Sequence, residues 1–153
     1  DEEKRGTAFG KTNVIPQKVV VRGGLRTISM EQLERAREGM KAVVAGSHPR
    51  TSASISFSEG YPPMAPGPEN YALLEKLSRV SQDLGFGPLE PLDPGRRGAA
   101  DISFVAPHTP GLAGMGAYGS GSHSPDEMLD LTSIMRAAKR AAVLMYRLAQ
   151  EGK

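Results

Sequence analysis

The sequence predicts an α/β fold, and three observations carry that expectation. Val19-Val20-Val21 is a β-branched run, and Ser29-Met30-Glu31-Gln32 is a capping-box pattern ahead of apolar residues at helical spacing. Residues Ser52 to Phe57 alternate small polar with apolar side chains, the period of a half-buried strand. In order these give strand, helix, strand, with further helices and short strands behind them.

The first strand is expected within 14–27, starting near Pro16, with Gly23-Gly24 marking a bend or bulge before Leu25. The helix is expected from about Met30 to Ala45, carrying Leu33, Ala36, Met40, Val43 and Val44 at helical spacing. Between Gly60 and Pro68 stand four prolines and two glycines, which no regular element tolerates. A linker over 61–70 therefore separates an N-terminal unit, 12–60, from a C-terminal one, 71–153. Asn70 is positioned to cap a helix bearing Leu73, Leu74, Leu77, Val80 and Leu84, with Gly85 as its stop. Residues 88–98 read as loop. Ile102–Val105 and 112–118 are short and apolar or glycine-rich, and both are expected as buried strands near a site. The amphipathic run from Met128 to Gln150 carries Ile134, Met135, Ala138, Ala141, Ala142, Met145 and Leu148 on a broad apolar face, with Ser124, Pro125 and Glu127 as helix-start chemistry ahead of it.

Hydrophobic residues are 39% of the chain and charged residues 24%, ordinary usage for a soluble globular protein, and no apolar run approaches the length of a membrane span. A net charge of +2, with basic residues scattered among acidic ones, argues against a nucleic-acid partner. The lack of cysteine removes disulfides and thiolate ligands and fits a reducing, cytoplasmic compartment. There is no initiator methionine, and the sequence is expected to begin partway through a longer gene product.

The residues with chemistry to offer are few. His123 follows Gly119-Ser120-Gly121-Ser122, small residues that let backbone approach a ligand, and it is one of three histidines in the chain. Taken alone it reads as a solvated or hydrogen-bonded loop histidine. As a metal ligand it needs its second nitrogen oriented, and Glu127 is close enough in sequence to help or else to serve as a capping carboxylate. Asp101 either orients a ligand or caps a turn. Arg26 either grips a substrate carboxylate with its planar fork or is a solvated charge at a strand end. Asn13 either hydrogen-bonds a ligand or forms a turn. Gly114, Gly116, Gly119 and Gly121 do not open a helix in dinucleotide-binding spacing, and no P-loop lysine follows them.

Taken in order, Thr12-Asn13-Val14-Ile15-Pro16, Arg26, Gly98 to Asp101 and His123-Ser124-Pro125-Asp126-Glu127 resemble the C-terminal part of the zinc metallopeptidases related to glutamate carboxypeptidase, aminoacylase and succinyl-diaminopimelate desuccinylase. The resemblance runs from about Thr12 to Leu148. It implies a catalytic domain binding two zinc ions and an inserted α/β lid that supplies dimer contacts and part of the substrate pocket. On that pattern 12–60 is the second half of the lid, a strand-helix-strand unit, and 71–153 is the closing part of the catalytic domain. His123 matches the family's last metal ligand. Asn13 and Arg26 match substrate-binding residues of the lid, and Gly98 and Asp101 match a glycine-rich turn beside the site, where Ala99 and Ala100 replace the family's second glycine and hydroxyl residue. The first metal histidine, the bridging aspartate, the general-base glutamate and the other carboxylate ligands lie upstream of the matched region.

The expectation is a C-terminal portion of a zinc-dependent amide-bond hydrolase, of carboxypeptidase or N-acyl amino acid amidohydrolase type, inactive as an isolated chain. Its implied partners are the missing N-terminal catalytic part, a second copy paired through the lid, and a small peptide or acyl amino acid substrate. The alternative is a non-catalytic interaction or dimerisation module whose strand-helix-strand unit pairs by its edge.

Overall fold

The computed structural model describes residues 13, 15–96 and 100–151. The chain is α/β: the described residues form four helices and a small two-stranded sheet, with a 3-10 turn at Pro94–Arg96.

Helix α1 spans Met30–Ala45, the range expected from the sequence. Its N-terminus is closed from both sides. The Ser29 hydroxyl accepts from the Gln32 N–H at 3.2 Å, and the Gln32 carboxamide accepts from the Ile28 N–H at 3.0 Å, so two otherwise orphaned donors are satisfied. Only Leu33 of this helix is buried. Arg37 fastens the chain after the helix: its guanidinium pairs with Glu59 at 3.2 Å and lies 5.5 Å from the centre of the Phe57 ring.

The flanking segments depart from expectation. Neither 15–27 nor 52–57 forms a strand, and among the described residues neither takes part in a β ladder. A strand is stabilised through the hydrogen bonds and cross-strand contacts of a neighbour, and none of the described residues supplies one to either segment. Val19, Val20 and Val21 are 68%, 65% and 87% exposed. The β-branched pattern thus marks chain suited to a sheet without an internal partner for it.

Helix α2, Pro68–Asp83, starts earlier than expected from the sequence, its N-cap being Gly67 and not Asn70. Pro68 occupies the first helical position, where its missing N–H costs nothing, and Gly67 is the N-cap. Asn70 sits inside the helix instead of capping it by its own backbone: its side-chain oxygen accepts from the Gly67 N–H at 3.0 Å. Its amide nitrogen donates to the Gly111 carbonyl at 2.9 Å, tying a distant loop to the helix start. The C-terminus is a Schellman motif on Gly85, which takes φ +76°. The Phe86 N–H reaches the Ser81 carbonyl and the Gly85 N–H the Gln82 carbonyl.

Ile102–Val105, expected as a strand, is the short helix α3. A four-residue apolar run carries no periodicity that separates strand from helix, and here the turn set by Ala100 and Asp101 decides. Residues 112–118 also form no strand. The sheet instead pairs β1, Gly119–Ser120, with β2, Met128–Leu129, antiparallel, Gly119 opposite Leu129. Helix α4, Leu131–Glu151, begins after Ser124 and Glu127, and its cap is Asp130, whose carboxylate accepts from the Thr132 N–H and hydroxyl at 2.8 and 2.7 Å.

Helices α2 and α4 pack together around Leu77, Val80 and Leu144, with Leu73, Leu84, Leu112, Val143 and Leu148 against them. Polar groups in this layer are satisfied. The fully buried Ser81 hydroxyl donates to the Gly87 carbonyl at 2.6 Å and accepts from Arg140 Nε at 3.1 Å. Ser133, also fully buried, accepts from the Tyr118 N–H and donates to the Asp130 carbonyl at 2.6 Å. Arg136 and Arg140 flank the Phe86 ring at 5.7 and 5.4 Å, and Arg147 pairs with Asp83 at 2.6 Å. No described helix is long and apolar enough to cross a membrane.

Candidate functional site

The approach to α1, the segment after Gly60, the 3-10 turn and α3 together enclose a cavity of about 490 Å³, within the size range of small-molecule sites. Arg26, Gln32, Tyr61, Arg96 and Ser103 contribute to its wall, with Leu25, Ile28 and Leu33 as apolar lining. Arg26, singled out from the sequence as a substrate-binding residue, is exposed and faces this cavity.

Asp101 comes to the edge of the same place through Tyr61. The tyrosine hydroxyl donates to its carboxylate at 2.8 Å, and the Tyr61 ring lies 5.1 Å from that of Phe104. The Asp101 charge beside it, reached first through that hydrogen bond, holds the Tyr61 hydroxyl above the usual tyrosine value. Arg26 lines the cavity, whereas Asp101 is not among its lining residues and is connected to it only through the Tyr61 hydroxyl.

His123 is elsewhere. It stands at φ +64° in the loop between β1 and β2, a left-handed conformation uncommon for a side chain larger than glycine. The loop is held by its own small residues: Ser124 N–H and hydroxyl both reach the Gly121 carbonyl, at 3.1 and 2.7 Å, and the Glu127 N–H reaches the Ser124 carbonyl at 3.2 Å. Glu127 therefore caps this loop and not a helix; its carboxylate accepts a long 3.4 Å hydrogen bond from the His123 backbone N–H. A side chain at Gly121 would meet the Asp126 carbonyl at 2.7 Å, so glycine is required there. The His123 imidazole is exposed.

Asn13 is exposed and does not line the cavity, and Gly98 lies outside the described residues. Among the described residues no three or more histidines, aspartates or glutamates gather as a metal-ligand cluster. A protein zinc site takes at least three protein ligands, so these residues do not by themselves fit the ion, and no chemical step is derived through it. Tyr61, Arg96 and Ser103 escaped the sequence reading. Tyr61 stood in a proline-rich linker and Arg96 in a stretch read as loop, and neither carries a spacing pattern.

The site thus consists of an open cavity with two arginines among its lining residues and, apart from it, a small-residue loop presenting an imidazole. The model of peptidase family M20/M25/M40 matches residues 2–147, and the chain belongs to that family of metallopeptidases. No curated protein and no solved structure matches it.

Proposed function

We propose that this chain forms the C-terminal portion of a zinc-dependent amide-bond hydrolase acting on small peptides or acyl amino acids, and that it is inactive alone. The observation that carries the reading is the surface left uncovered. Ile134, Met135, Met145 and Tyr146 on α4 remain exposed, as do Leu129 and Leu131 just before and at its start. An N-terminal catalytic part would cover such faces and bring the metal ligands that His123 lacks. His123 would contribute one imidazole to the metal, while Asn13, Arg26, Gly98 and Asp101 would serve the substrate. Arg26 supports a carboxylate-bearing substrate because it lines the cavity without an acidic partner among the described residues.

The exposed Val19 to Val21 favour a second element of the same reading, pairing of two copies through the lid. If edge pairing is the whole of the function, the chain is an interaction module and not part of an enzyme.

Zinc content and amidase turnover, measured on this chain alone and on the chain completed by its N-terminal part, separate these outcomes. Zinc uptake and turnover are expected only in the completed protein. Full activity of the isolated chain overturns the proposal, and a completed protein that binds no metal leaves the module.

A further inference from the structure

We propose that Arg96 is a specificity-determining residue, which together with Arg26 makes the 490 Å³ cavity a reader of small substrates bearing two carboxylates. The inference rests on the amide-hydrolase reading for the word substrate, but its physical basis is independent of zinc. Both guanidinium groups belong to residues lining the same cavity, and neither side chain has an ion pair or hydrogen bond among the described residues. Arg35, Arg37, Arg79 and Arg147 each pair with a carboxylate and Arg140 with Ser81, while the exposed Arg22 and Arg50 are also unpaired among the described residues; what sets Arg26 and Arg96 apart is that both line one cavity.

No aspartate or glutamate is among the described residues lining the cavity. Two carboxylates engage its wall from outside the lining, and both are occupied: Asp101 accepts from the Tyr61 hydroxyl and Asp93 from the Gly95 N–H, each at 2.8 Å. Two guanidinium groups that form no ion pair among the described residues make the cavity attractive to anions, and a guanidinium offers a carboxylate a planar, two-pronged donor set. Gln32 adds polarity, its oxygen accepting from the Ile28 N–H. Leu25, Ile28 and Leu33 supply an apolar surface for a short carbon chain between the two charges. Arg26 comes from the approach to α1 and Arg96 from the 3-10 turn, so the two anionic groups would be held from opposite halves of the chain.

The test is equilibrium binding by titration calorimetry, in chelator and low salt, of N-acetyl-L-glutamate and the near-isosteric N-acetyl-L-glutamine. The two probes differ by one carboxylate that is ionised at neutral pH. The 153-residue chain is expected to bind the glutamate about tenfold more tightly, the scale of one charge-assisted contact. Arg96→Gln is expected to remove that preference and Arg96→Lys to keep part of it, with circular dichroism confirming helix content in each. Absence of saturable binding of either probe, or the same preference in Arg96→Gln, overturns the proposal. Since no metal and no turnover are involved, a failure of the zinc-hydrolase reading leaves this result legible, and the reverse holds for the amidase assay.

Discussion

The α2–α4 pair and the stretch from residue 15 to residue 60 are built to opposite rules. In the pair, three apolar side chains are buried together, two fully buried serines have their hydroxyls satisfied, and Arg140 and Arg147 tie the helices by hydrogen bond and charge. In the N-terminal stretch, one well-capped helix buries Leu33 alone while three consecutive valines face water. Local signals of good quality occur in both. What differs is whether an element finds a partner within the chain, which is the main source of stability for a helix or a strand in water.

That contrast can be broken by mutation. The largest effect is expected from Leu77→Ala, a cavity at the centre of the pair, at about 2–5 kcal/mol in urea unfolding followed by circular dichroism. Ser81→Ala strips the Gly87 carbonyl and Arg140 of a shared buried partner and should cost about 1–3 kcal/mol by the same measurement. Ser29→Ala removes the α1 cap and should cost about 1 kcal/mol, visible as lost helicity near residue 30. Val21→Thr should stay within about 0.5 kcal/mol. If Val21→Thr proved as damaging as Leu77→Ala, the valines would be covered in solution and the contrast would fail.

A pH titration sharpens the junction between the two regions. The Tyr61 hydroxyl titrates above 10.0 because ionising it both removes its donation to Asp101 and sets two negative charges side by side. Its folded value is raised, so the contribution of the contact is complete below about pH 10, the unperturbed tyrosine value, and is lost as pH rises through the higher folded value. Absorbance at 295 nm, compared between the native chain and Tyr61→Phe, isolates this residue. Asp101→Asn is expected to return it toward the ordinary value.

Legibility in the sequence followed the same division. The bounds of α1 were readable because Ser29, Gln32 and the spacing from Leu33 all act within one element. Gly85 was readable as a stop because its φ of +76° is a local requirement. The two strands were not, since Val19 to Val21 and Ser52 to Phe57 state a preference that only a neighbour can satisfy. Ile102–Val105 was too short to declare its period. At the site, Arg26 could be singled out in advance as a candidate, but its shared cavity with Arg96, and Tyr61 as the link to Asp101, are tertiary facts that no spacing encodes.

The two-pair ladder of β1 and β2 closes a seven-residue loop, 121–127, around His123. The chain-entropy cost of one more residue in such a loop is only about 0.1 kcal/mol, so what an insertion there would cost comes from breaking the Ser124–Gly121 and Glu127–Ser124 hydrogen bonds. The same insertion would swing the imidazole to a new bearing. On the metal-ligand role proposed for His123, such insertions are expected to lower metal uptake by the completed protein.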